Sequence, residues 1–195
     1  MSFGFAEVNR AIRNAISTSV TDRQGSVVFF AAAANNGSNQ QEMFPASDVN
    51  VISVRGTDYN GIFIGAYNPP PHPRKEGQPV YGTLGQNVPY TAEKMASGCS
   101  IATPIMVGMV AMVMQWMHYS TAPASSPSSK SNSHDDKVIQ SLHTFDGVSE
   151  ILKQESVGLG GLRQHYFHIW NLFRDDGEAC ASIIRGYMLK RLVSY

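Results

Sequence analysis

The segment from Ser100 to about Met117 constrains this chain most. It reads as a helix that is apolar nearly all round, with Ile101 to Met114 as its most hydrophobic run. A helix of that kind has to be buried rather than laid half-exposed on a surface, so further layers must flank it. Pro104 is tolerable only in the first helical turn, where no backbone N–H is needed, which sets the helix start close to Ser100. Gly108, one turn further on, permits close approach to a neighbouring sheet. The run is shorter than the ~20 residues of a membrane span and contains Thr103, Pro104 and Gly108. A core helix is therefore expected, and no membrane.

The flanking layer is expected to be a sheet. Val27 to Ala33 is a continuous apolar run that starts β-branched and aromatic, as suits a strand buried on both faces of a parallel sheet. Asn35-Asn36-Gly37-Ser38-Asn39 ends it with turn chemistry, and Val49 to Val54 forms a second short buried strand. Before them, Ala6 to Ser17 reads as an amphipathic helix with Val8, Ile12, Ala15 and Ile16 on one face. Helix, strand, loop and strand in that order predict an α/β architecture.

Between Gly56 and Thr91 the chain is rich in Gly, Pro, Tyr and Asn, and Pro69-Pro70-Pro71 favours extended polyproline geometry. A stiff surface loop and a docking site for a proline-reading module are the two readings of it. Ser120 to Asp136 is of low complexity and reads as a flexible linker. Beyond it the pattern is helical, with Val148, Ile151 and Leu152 marking one short helix. Asp176 to Tyr195 marks another, with Ile183, Ile184, Tyr187, Met188 and Leu192 at helical spacing. The expected organisation is thus a domain over 1–119, a linker over 120–137 and a helical appendage over 138–195.

Fifteen basic residues balance fifteen acidic ones, which gives no reason to expect nucleic acid or an anionic membrane as a partner. Two distant cysteines, Cys99 and Cys180, make no disulfide framework and fit a reducing compartment. The first ten residues include Glu7 and Arg10 and have neither the basic nor the apolar region of a signal peptide. A cytoplasmic protein is the expectation. His165 and His168 stand three apart without a third ligand motif, so no metal and no cofactor are expected.

The segment that carries chemistry is Gly98-Cys99-Ser100-Ile101-Ala102-Thr103-Pro104-Ile105-Met106-Val107-Gly108. A serine at a helix N-terminus, behind a glycine, can project its hydroxyl from the turn. Its own backbone N–H is one of the helix's unpaired donors and can face an oxyanion. Taken alone, Ser100 reads either as such a nucleophile or as a helix N-cap. Asn35, taken alone, is a turn residue ending a strand.

This segment resembles the serine motif of the subtilisin-like serine peptidases, Gly-Thr-Ser-Met-Ala-Ser/Thr-Pro-His-Val-Ala-Gly. Gly98, Ser100, Ala102, Thr103, Pro104 and Gly108 are in register; Cys99, Ile101 and Ile105 replace Thr, Met and His. Upstream, Ala31 to Gly37 resembles the family's Ala-Ala-Ala-Gly-Asn-Glu-Gly, with Asn35 at the oxyanion-binding Asn and Ala34 in place of a Gly. Phe44-Pro45-Ala46 and Asn50 to Val54 resemble Tyr-Pro-Ala…Val-Ile-Ala-Val. Met1-Ser2-Phe3-Gly4 resembles the Met-Ser-Leu-Gly that ends a central strand beside the substrate cleft. The matches cover about residues 1 to 118, and the Pro-rich loop with Gly82-Thr83-Leu84-Gly85 is most similar to intracellular fungal members.

The resemblance implies part of a subtilisin-like parallel sheet flanked by helices, and serine-type endopeptidase chemistry through an acyl-enzyme. Ser100 and Asn35 would be the catalytic residues; Ser2, Phe3, Gly4, Ala32, Ala33 and Ala34 would line the peptide. In this family the chain order is Asp, His, Ser. No Asp-Ser/Thr-Gly and no His-Gly-Thr segment occurs in this sequence, and His118 lies ~27 Å down the same helix at 1.5 Å per residue. The expectation is a truncated chain, weak or inactive alone. The alternatives are a non-catalytic peptide-binding module, or one half of a split enzyme whose partner chain supplies Asp and His.

Overall fold

A computed structural model describes residues 3–21, 27–121, 133–158, 163–171, 182–184 and 186. The chain begins with helix α1 (Phe3–Thr21), followed by strand β1 (Phe29–Ala32), β2 (Val51–Thr57) and β3 (Val80–Leu84). A short hairpin, β4 (Val88–Pro89) and β5 (Met95–Ala96), leads into the long helix α2 (Cys99–Thr121). Helices α3 (Ser133–Leu142) and α4 (Phe145–Glu155) follow, then β6 (Val157–Gly158) and β7 (Gln164–Tyr166). The main sheet has the order β1-β2-β3-β7-β6, parallel except for β6. This is the expected α/β architecture, a mainly parallel sheet with helices packed on it.

Strand β2 is buried at all seven positions, because β1 and β3 cover its edges and α2 covers one face. β1 is half-buried except at Ala31, since the described sheet ends at it and its outer edge pairs with no described strand. Two strands run differently from expectation. β2 continues through Arg55-Gly56 to Thr57, which a polar and a glycine residue had concealed. β3 lies inside the stretch read as loop, hidden because Pro79 and Gly82 interrupt its pattern.

The helix α2 is the organising element. Ala102, Met106, Val110, Val113 and Met117 recur at helical spacing and are buried against the sheet and α3, in one cluster with Ile52, Val54 and Tyr81. The opposite side is open, with Val107 39% and Met112 57% exposed and nothing within 4 Å of the Cβ position of Gly108. The all-round burial expected from its composition is therefore met on one face only. At 23 residues the helix is also longer than its apolar core suggested, long and apolar enough by length and composition to cross a membrane. Its inner face nevertheless belongs to the protein core.

The region after residue 137 is built into that core. Val138, Leu142, Val148, Ile151, Leu152, Phe167 and Ile184 all join the α2 cluster, and β7 extends the sheet by pairing with β3. Helix α3 begins at Ser133, inside the stretch expected to be linker; residues 122–132 lie outside those described. Of the expected helix over 176–195, residues 182–184 and 186 are helical and the remainder lies outside the described residues, as does Cys180.

Candidate active site

The carboxyl ends of β1 and β2 point toward the amino end of α2, the place where parallel α/β sheets present their loops to ligands. Here the chain is locked by close backbone contacts. Gly98 adopts φ +139°, a region side-chain-bearing residues avoid. A Cβ on Gly98 would stand 2.9 Å from Asn35 Oδ1. Gly98 N–H donates to Gly85 O at 2.8 Å, and a Cβ on Gly85 would meet Gly56 Cα at 2.7 Å. Glycine at both positions is what lets strand ends and helix start approach each other.

Asn35, three residues past β1, lies across this turn. Its Oδ1 accepts from Cys99 N–H at 2.7 Å, capping one of the unpaired donors at the start of α2. That leaves the Nδ2 donor uncommitted among the described residues, and Asn35 is exposed. Ser100, the next residue along, is exposed as well and sits in the first turn of α2. Ile101 and Ala102 N–H groups donate to Gly98 O in the first turn, while Pro104 lies just beyond that turn, inside α2 and not within its first turn as expected, where it has no N–H to donate to the Ser100 carbonyl. The structure thus brings Asn35 and Ser100 to one place, at the positive end of a long helix.

Beneath them lies Cys99, fully buried. Burial pushes its thiol above the ordinary range, despite opposing contributions from the Gly56 backbone and Arg55, so it stays neutral. It donates to Asn68 Oδ1 at 3.2 Å. Asn68 in turn clamps the backbone of Gly56, accepting from its N–H at 3.0 Å and donating to its C=O at 2.7 Å. Tyr67, pushed up to about 12 chiefly by burial, keeps its hydroxyl and donates to Gly85 O. Sequence reasoning missed Asn68 and Tyr67. They stand just before the proline triplet, and only the close approach of that loop to the sheet gives them a role.

The other residues expected at the peptide site separate. Ser2 lies outside the described residues, and Phe3 and Gly4 open α1 instead of ending a strand. The helix starts earlier than expected because nothing in Phe3-Gly4-Phe5 stops it. Ala32 is the last residue of β1, while Ala33 is fully buried and its N–H donates to Val54 O at 3.0 Å. Ala33 therefore presents no surface to a ligand, contrary to the expectation that it lines the peptide. Ala34 takes φ +110°, strained for a residue with a Cβ, at the position where the resembled motif has Gly. Relief of that strain, worth about 1–3 kcal/mol, outweighs the roughly 0.5–1 kcal/mol entropic cost of glycine. Ala34→Gly is therefore expected to raise stability by about 1 kcal/mol, and an unchanged or lower urea midpoint would argue against strain there.

No histidine among the described side chains hydrogen-bonds Ser100. His72 Nδ1 accepts from Arg74 N–H at 3.2 Å, and His165 and His168 lie against Tyr81 and Tyr166. His118 is at the far end of α2, its ring 6.0 Å from that of His143. Among the described residues no three His, Cys, Asp or Glu side chains gather as metal ligands would.

These elements define a subtilisin-like α/β fold. No family model matches the chain and no curated protein matches it, but solved structures do. The PatG macrocyclase in complex with peptide superposes with a TM-score of 0.59 at 16% identity, covering 95% of this chain and 57% of that one. The prenylagaramide maturation protease PagA gives 0.53 at 20% identity over 82% of this chain and 53% of that one. The S218A mutant of the PatA protease domain gives 0.52 at 16% identity, over 88% and 53%. The chain spans about half the length of these structures, and at such identities the likeness establishes the fold alone.

Proposed function

We propose that this chain carries the nucleophile and oxyanion half of a serine endopeptidase site. The observation that supports it is the seating of the Asn35 amide on Gly98 and Cys99, immediately before an exposed Ser100 at the start of α2. Ser100 Oγ would attack a peptide carbonyl, forming the C–O bond of a tetrahedral intermediate. Asn35 Nδ2 and the Ser100 N–H would donate to its oxyanion. Collapse expels the amine and leaves an acyl-enzyme that water hydrolyses. Both steps need a base that first takes the serine proton and then gives it to the leaving amine.

A peptide is the substrate class that fits, because the outer edge of β1 offers backbone groups for strand addition next to Ala34 and Asn35. The likeness to PatG, solved in complex with peptide, supports the same class. That no described histidine bonds Ser100 favours a second reading, a chain completed by further polypeptide that supplies the Asp and His segments. The open β1 edge and the uncovered face of α2 support it. A non-catalytic peptide binder is the remaining outcome.

A fluorophosphonate probe separates them. Labelling at Ser100 is expected only after addition of a polypeptide carrying the Asp and His segments of a subtilisin-like domain, and is expected to vanish in Ser100→Ala. Absence of labelling in a complex that forms and binds peptide would leave the binding module. Labelling at a residue other than Ser100 would end the proposal.

A further inference from the structure

The proline segment between β2 and β3 has an exposure pattern with a period of three. Pro69 is buried and His72 half-buried, whereas Pro70 and Pro73, and Pro71 and Arg74, are exposed. A polyproline II helix has three residues per turn and so presents three edges; this one turns one edge inward and two outward. The backbone agrees. His72 has φ −66° and ψ 142°, the values of that helix. Proline fixes φ at about −65° at positions 69, 70 and 71, and residues that precede a proline avoid the helical region. Pro73 then opens a short 3₁₀ turn, Pro73–Lys75.

The inner edge is pinned. Arg55 Nε donates to Pro69 O at 3.2 Å, Glu42 N–H donates to Pro70 O at 3.3 Å, and Glu42 Oε2 accepts from His72 N–H at 3.3 Å. Glu42 and Arg55 are themselves buried and face each other at 3.5 Å. The buried Lys75 anchors the end of the segment, its Nζ donating to Val51 O at 2.6 Å. A free proline-rich strand loses conformational freedom when it binds; here the core has already removed it. None of the buried groups has to be reached from outside.

The outer edges carry what a partner would read. Pro70 and Pro73 share one edge, ~9 Å apart at 3.1 Å per residue, the spacing of a Pro-x-x-Pro motif, and Pro71 and Arg74 share the next. Pro71 O accepts no hydrogen bond from a described residue, and the Arg74 guanidinium forms no ion pair with one. Arg163, also exposed, stands beside Gly77, so with Glu76 as the opposing charge this end stays net basic. A cavity of about 870 Å³ lined by Pro70, Pro71, Pro73 and Phe63 leaves room along the rings.

We propose that Pro70 to Arg74 form a docking ridge for a proline-reading domain of the SH3 type. An aromatic-lined groove takes the two outward edges, and acidic side chains at one end of that groove pair with Arg74. The ridge is independent of the peptidase reading, since it uses neither Ser100 nor Asn35.

Titration of isotope-labelled SH3 domains with the full chain, followed by their amide shifts, tests it. A panel of purified domains whose grooves end in acidic residues is the probe. Saturable shifts confined to the aromatic groove are expected below millimolar concentration, and a poly-L-proline peptide should reverse them. Pro71→Ala removes two methylenes from the contact and is expected to weaken binding about 10-fold. Arg74→Ala should weaken it about 10-fold as well, the worth of a charge-assisted hydrogen bond. Both residues are exposed, so the urea midpoint of each variant should move only slightly, which separates lost docking from lost fold. Absence of binding across the panel at millimolar chain overturns the proposal. So do shifts that fall outside the groove, and so does binding left unchanged by either substitution.

Discussion

Peptide hydrolysis by the chain alone is expected to run about 10⁶-fold below the rate of the same chain once an Asp–His pair is supplied. The magnitude is that measured in subtilisin, where loss of the histidine alone costs about 2 × 10⁶ in kcat. The described histidines stand elsewhere, at Arg74, Tyr81, Tyr166 and the far end of α2, so among the described residues no histidine is placed to take the proton of Ser100. Under the proposed reading, the positive end of α2 and the Asn35 amide would stabilise charge on the substrate oxygen, and that contribution would survive without a base, at roughly 10³–10⁴ over water. Single-turnover assays with an activated ester should detect this residue of activity. Asn35→Ala should then remove about 10²–10³ of the rate measured in the completed enzyme. An Asn35→Ala variant as fast as the parent in that complex would show that the amide serves only to cap Cys99.

That last distinction marks where sequence reading stops. The helix start near Ser100 was legible because Pro104 cannot sit deep in a helix, and β1 and the first part of β2 because their residues are apolar and β-branched. The burial of α2 was legible only in part. Composition says that Val107 and Met112 want cover, but not whether this polypeptide provides it. Strand β3 and the β7 that pairs with it were not legible, since Val80-Tyr81-Gly82-Thr83-Leu84 is stabilised by its neighbours on either side and not by its own pattern. At the candidate site, Ser100 and Asn35 stand out in the sequence through the resemblance of their motifs. Asn68, Tyr67 and the strained Ala34 emerge only when the chain is folded, because their partners stand on other segments, as Cys99 does for Asn68 and Gly85 for Tyr67. The Glu42, Arg55 and Lys75 group was invisible for the same reason. Each residue alone reads as a surface charge.

That group gives the largest expected effect on stability. Arg55→Ala is expected to cost about 3–5 kcal/mol, because it leaves the Glu42 carboxylate buried without its principal counter-charge. It also strips the Ser53 hydroxyl and the Pro69 carbonyl of their donor. Lys75 offers limited compensation. Burial lowers its pKa to about 8 against the opposing pull of Glu42, so near neutral pH it stays largely protonated, but one of its donors is already held by Val51 O. Against a typical total of about 5–15 kcal/mol, the loss would bring the chain close to unfolding at room temperature. Replacing both partners by apolar residues of similar volume, Glu42→Leu with Arg55→Met, should cost far less, since no charge is then stranded and the desolvation penalty disappears with the pair. Urea denaturation of the parent, the single variant and the double variant reads both numbers. A single variant within about 1 kcal/mol of the parent would mean that water reaches the pair in solution. A double variant as unstable as the single would place the loss in the Ser53 and Pro69 hydrogen bonds instead of in the charge.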